Sequence, residues 1–317
     1  MNALQQIAAS GGLSPIALAP SLSARLPVVA AAAKMRAMTE PAATPQPETD
    51  DAFAAVLARD DRAPFEDYFD FAAHGMAHPV LHAGTGPPVI LMHELPGFVT
   101  EFWRLARWLE AAGFSVYAPA LYDPQGSTLE ELHMVHGRVA GMARACITRE
   151  IRLFARTGGS PISDWLRALA RELSSRHDGA RVGAVGLCLS GNFAWSLAVE
   201  PSVNAAVAGE PALPFNEAGG LHLEPGEVEA LKARADLPVM ALRFDGDPAC
   251  KAERFAALEA LLGERAMTRV LPDEAKNPKG NPFPHAVLTK DLIAEDGQPT
   301  YEAAREVLGY LSARLKG

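Results

Sequence analysis

The sequence predicts an α/β protein built on a mostly parallel central sheet with helices on both faces. Unbroken apolar runs too short for helices alternate with longer amphipathic segments from about residue 65 onward, the order expected of strands joined by helical crossovers. A chain of 317 residues with 49% apolar content can bury one large core. Residues 51–317 are therefore expected to form a single domain.

The elements follow in order. "PPVILMHE" (87–94) is entered by prolines and reads as a central strand buried on both faces. "EFWRLARWLEAAGF" (101–114) sets Phe102, Leu105, Ala106 and Leu109 on one helical face, with Gly113 as the stop. "SVYAPAL" (115–121) is the next strand. Residues 122–160, rich in Met, Arg and His, have the irregular-to-helical pattern of a cap. "SDWLRALARELSSRHDG" (163–179) is a helix closed by Gly179, and the strand "RVGAVGL" (181–187) follows it directly. Three more strands are expected at 203–211, 237–247 and 265–273, with helices at 250–263 and 300–315.

Composition removes several function classes. The 29 Lys and Arg against 38 Asp and Glu give a net charge of -9, which offers no footprint for nucleic acid or an anionic membrane. No stretch approaches the length of a membrane span. Three scattered cysteines, Cys146, Cys188 and Cys250, make neither a disulfide framework nor a CxxC pair, so a reducing cytoplasm is the expected compartment. Residues 1–39 lack Asp and Glu and carry Arg25, Lys34 and Arg36, yet no apolar segment of usable length precedes a cleavage site. "TEPAATPQPETDD" (39–51) has the composition of a linker, so residues 1–50 are set outside the fold as a flexible segment.

The chemistry-bearing stretch is "RVGAVGLCLSGNFAWSLAV" (181–199). Gly186, Leu187, Cys188, Leu189 and Ser190 form a small-x-nucleophile-x-small turn between strand and helix. Small flanks are needed because the nucleophile occupies a strained backbone position, and the helix start behind it favours a developing anion. Ser190 is a rival nucleophile, though Asn192 fits the second small position less well. The GxGxxG spacing of a dinucleotide site is absent. A base and its orienting acid should follow in the order nucleophile, acid, histidine. Asp247 and Asp245 close the strand at 237–247, and Asp247 is expected to stand just before the next helix. His285 is the one histidine beyond both the acid and the last expected strand. In "MHELPGF" (92–98) the Leu95 N–H is placed to hold an oxyanion together with that of Leu189, and Glu94 is expected to contact the Cys188 thiol.

These stretches resemble the dienelactone hydrolase family of the α/β-hydrolase superfamily. "PVILMHELPGF", "GFSVYAPALY", "VGLCLSGNFA", "FDGDPAC" and "PHAVL" carry the likeness, which extends over residues 65–317. It implies an α/β-hydrolase fold and cleavage of a small ester or lactone without metal or cofactor. Cys188 would be the nucleophile, His285 the base, Asp247 its orienter and Glu94 the residue that helps ionise the thiol. Dienelactone-specific members hold the substrate carboxylate with arginines, one of them four residues beyond the histidine. This chain has Thr289 there, which leaves Lys290, Arg149 and Arg152 as candidates to meet an anion. The alternatives are a non-catalytic protein of the same fold that binds a small ligand, and a serine esterase using Ser190.

Overall fold

The structure, a computed structural model, describes residues 63–95, 97–123, 125–134 and 160–317. The expected N-terminal segment, most of the cap, and with it Arg149 and Arg152, lie outside the described residues. Eight strands form one sheet: β1 (Asp67–Ala73), β2 (Met76–Ala83), β3 (Pro88–Met92), β4 (Ser115–Pro119), β5 (Val182–Leu187), β6 (Val203–Gly209), β7 (Val239–Phe244) and β8 (Ala266–Leu271). Their spatial order is β1-β2-β4-β3-β5-β6-β7-β8. From β4 to β8 every neighbouring pair is parallel, while β2 runs antiparallel to β1 and to β4.

The expected alternation of strand and helix from residue 65 thus needs a correction, because the domain begins with a hairpin. β1 alternates half-exposed and exposed positions and carries Asp67 and Asp70, so it lacks the apolar run that marks the inner strands. The hairpin turns at His74 and Gly75, both with positive φ (52° and 75°). β3, β4, β5 and β7, by contrast, are buried at every position.

Helices α1 (Thr100–Ala111) and α7 (Pro299–Leu315) cover one face. Phe102, Leu105, Ala106 and Leu109 are buried as the spacing requires, joined by Trp103 and Trp108, and each large side chain contributes about 1.5–3 kcal/mol. Gly113 then takes φ 77° and ends the segment. Of the cap, the described part contains the short α2 (Leu129–His133), started by reciprocal bonds between Thr128 and Glu131. α3 (Pro161–Arg176) and α4 (Gly191–Leu197) pack on the opposite face through Trp165, Leu169, Phe193 and Leu197. α5 (Pro225–Ala233) and α6 (Ala252–Leu262) extend that layer over β6 and β7. α5, with its weak apolar periodicity, is not among the expected helices.

Residues 211–220, which leave β6 beside the sheet's carboxyl edge, contain no helix or strand, and one side chain holds them. Arg254 on α6 is 1% exposed, and its guanidinium donates to the carbonyls of Pro211, Pro214, Glu217 and Gly220 at 2.7–2.9 Å and to Ala249 at 3.3 Å. Arg254→Met is expected to strand these acceptors and cost about 3 kcal/mol or more. Urea denaturation should show the midpoint falling with the slope unchanged.

Candidate active site

The parallel strands deliver their carboxyl ends to one edge. Met92 pairs with Gly186 and Leu187 with Gly209, so Glu94, Cys188 and Glu210 step off three adjacent strands at nearly the same level. Cys188 adopts φ 53°, a left-handed conformation that a side chain occupies at a cost of about 1–2 kcal/mol. The flanking residues are small for a geometric reason. A Cβ on Gly186 would stand 2.2 Å from the Ser190 carbonyl oxygen, and one on Gly191 would stand 2.8 Å from Pro211 Cα. Ser190 is 1% exposed and points beneath the turn, where its Oγ accepts from Leu187 N–H (2.9 Å) and lies within donating distance of Met92 O (3.1 Å).

The loop between β8 and α7 brings His285 to this edge. Its Nδ1 lies 2.8 Å from Asp247 Oδ2, and both residues are buried. Asp247 Oδ1 accepts from Ala249 N–H (2.8 Å) and Cys250 N–H (2.9 Å), which aims the other oxygen at the imidazole. α6 begins only at Ala252, so Asp247 closes a turn and is not a helix cap, contrary to the expectation that it stands just before the helix. Asp245 is exposed and pairs with Arg243 at 3.3 Å. Burial would lower the His285 pKa, but the Cys188 sulfur, by charge and by a side-chain hydrogen bond, and the Asp247 carboxylate together raise it well above the ordinary value. The second thiol, Cys250, is buried and pushed up to about 12, chiefly by burial and then by Asp247.

Glu94 is buried as well, but its partner is not the expected one. Its Oε1 accepts a short hydrogen bond from Thr289 Oγ1 in place of a contact to the thiol. Burial raises the Glu94 pKa, against the pull of Thr289, His285 and Lys290. Lys290, half-buried, therefore acts on Glu94 through its charge. The β3 exit is fixed by His93, whose Nδ1 lies 3.1 Å from Glu94 O and whose Nε2 accepts from Leu121 N–H at 3.2 Å. Leu95 and Leu189 pack in one apolar cluster with Cys188 and Tyr122. The Tyr122 hydroxyl is buried with no hydrogen-bond partner, and burial, then the charges of Cys188 and Glu94, raise its pKa well above the usual phenol range.

Three residues here carry no sequence signal of their own. Tyr122 ends an apolar run, Glu210 ends another, and Asp291 sits in a loop. Asp291 is fully buried and accepts from the backbone N–H of His285, Ala286 and Asn281 and from Asn281 Nδ2 at 2.7–3.2 Å, so it shapes the loop that presents His285. Glu210 is equally buried. Burial raises its pKa well above the carboxylate range, His285 opposes the rise, and Glu94, Asp247 and Cys188 add to it. Among the described residues no group of three His, Cys, Asp or Glu side chains could hold a metal ion. A separate polar cavity of about 440 Å³, lined by residues including His74, Ser160, Arg167 and Glu227, touches none of the residues of this edge.

The fold has known counterparts. No curated protein sequence matches the chain. A Klebsiella pneumoniae protein assigned to the dienelactone hydrolases superposes with a TM-score of 0.50 at 20% identity, covering 78% of this chain and 97% of its own. A dienelactone hydrolase-like promiscuous phosphotriesterase from metagenomic libraries does so with 0.53 at 16% identity, covering 78% and 97%. A thermostable carboxyl esterase from Bacillus coagulans gives 0.50 at 10% identity, covering 78% and 98%. These likenesses establish the α/β-hydrolase fold, in which the described sheet and its flanking helices belong. Residues 76–271 match the sequence model of the dienelactone hydrolase family, from β2 through the Cys188 turn and Asp247 to the end of β8. With more than half of its length covered by that match, the chain belongs to the dienelactone hydrolase family.

Proposed function

We propose that the protein hydrolyses a small carboxylic ester or lactone by acyl transfer through Cys188. The observation that carries this reading is the continuous line from Asp247 through His285 to the Cys188 sulfur, ending on a left-handed turn. With the imidazole protonated, the sulfur is paired as a thiolate. The thiolate attacks the ester carbonyl, and the Leu95 and Leu189 N–H groups hold the oxyanion. His285 gives its proton to the departing alkoxide, leaving an acyl thioester. It then takes a proton from a water that attacks the thioester, and the acid and the thiol are released. Glu94, with its raised pKa, is a better proton acceptor than an ordinary carboxylate, which suits it to assist ionisation of the thiol. The engagement of the Ser190 hydroxyl under the turn favours Cys188 over a serine mechanism.

A panel of esters and lactones, read together with intact mass, tests the reading. Wild type should turn over at least one ester and show a transient acyl adduct, and Cys188→Ala should lose about 10³-fold or more. Full activity in Cys188→Ala would overturn the assignment. Stoichiometric alkylation of Cys188 without turnover of any ester would favour a binding protein.

Glu94 also sets a pH dependence. A carboxyl whose folded pKa lies above its unfolded one contributes stability that is complete below the ordinary carboxylate range and lost as pH rises through the folded value. Glu94→Gln should therefore match wild type in acid and become the more stable of the two as pH rises toward neutral. Denaturation midpoints measured from pH 4 to 8 read this directly, and a difference that stays constant with pH would refute it.

A further inference from the structure

We propose that Glu210 is a positioning residue that ties the loop bearing His285 to the turn bearing Cys188. The inference rests on the thiol chemistry proposed above, though its test does not. β6 lies between β5, which ends at the nucleophile, and β7, which leads to Asp247. Two residues at the β6 exit, Glu210 and Ala212, reach all three parts of the site. The Glu210 N–H donates to Leu242 O on β7 (2.8 Å), the Ala212 N–H donates to the carbonyl of Cys188 itself (3.0 Å), and Glu210 Oε2 accepts from Val287 N–H, two residues past the base (3.3 Å).

The backbone is shaped for this task. Glu210 has φ 37°, a second non-glycine residue in the left-handed region one strand away from Cys188. Such a conformation persists only where surrounding bonds over-determine it. Its side chain is 0% exposed and its Oε1 has no hydrogen-bond partner. The titratable groups that face it are His285, Glu94, Asp247, Cys188 and Cys250. In that company a carboxyl deprived of water holds its proton, so what it supplies to the Val287 amide is a neutral acceptor. No step of the reaction uses it, and neither the surface nor the solvent does.

The test reads the sulfur and needs no ester. The rate of Cys188 alkylation by iodoacetamide is followed from pH 4 to 10 in wild type, Glu210→Gln and Glu210→Leu, with Cys188→Ser subtracted as the background from other thiols. Glu210→Gln keeps a neutral oxygen for Val287 and should reproduce the wild-type profile within about threefold at every pH. Glu210→Leu removes the acceptor and lets the imidazole drift, so alkylation at neutral pH should fall about tenfold or more. Equal disturbance in both variants would show that the ionisable group itself matters and would overturn the proposal, as would a wild-type profile in Glu210→Leu. If Glu210→Leu does not fold, the Gln profile alone decides, because any shift in it contradicts a neutral acceptor. Loss of esterase activity in Cys188→Ala remains a separate measurement, so the acyl-transfer reading and the role of Glu210 can fail independently.

Discussion

The left-handed backbone at Cys188 is the constraint around which the carboxyl edge is arranged. A residue with φ 53° leaves the line of β5 and lifts its side chain above the sheet, where loops from neighbouring strands can reach it. Holding it there requires the missing side chains of Gly186 and Gly191 below and beside the turn. It also requires bonds that a relaxed turn would not make, from Ala212 N–H to the Cys188 carbonyl and from Leu187 N–H to Ser190 Oγ. The inner strands are buried on both faces, so the edge they present is rigid, and strain at a single residue can be borne by many contacts. The same scaffold explains why the rival hydroxyl of Ser190 lies under the turn: it is one of the bonds that hold the sulfur up.

Four carboxyls crowd one imidazole and one thiol, and the supply of donors separates them. Asp291 receives four hydrogen bonds and Asp247 three, most of them from backbone amides. Glu94 and Glu210 are as deeply buried but receive one each, from Thr289 and Val287. A carboxylate surrounded by amides is solvated by them, whereas one with a single donor finds the protonated form cheaper. Both glutamates are accordingly raised. The imidazole, held by Asp247, is stabilised as a cation next to the sulfur.

Much of this edge is legible in the sequence because it is local. The buried strands are continuous apolar runs, the Cys188 turn is five contiguous residues, and the order Cys188, Asp247, His285 follows the topology of the chain. What is not legible depends on contacts across long separations. Val287 and Glu210 are 77 residues apart, and Thr289 and Glu94 are 195 apart. Glu210 reads as the tail of a strand, Asp291 as a loop acid, and Tyr122 as the last apolar residue of a run. Which of Asp245 and Asp247 lies against His285 is likewise set by which carboxyl the turn faces inward. The first strand, β1, escapes for another reason, since a half-exposed edge strand dilutes the apolar pattern on which strand recognition relies.

The substitution noted at position 289 gains its meaning only in this setting. An arginine there would offer Glu94 a charged fork and hold it as a carboxylate in a fixed ion pair. A threonine offers one neutral hydroxyl, and its own backbone carbonyl is already fixed by Arg104 at 2.7 Å. The positive charge that remains nearby belongs to Lys290, which pulls on Glu94 without outweighing its burial. An arginine would add a charge opposing that burial, which the threonine hydroxyl does not. One side chain, identifiable from its spacing to His285 but not from its chemistry alone, thus leaves burial as the largest influence on the Glu94 carboxyl.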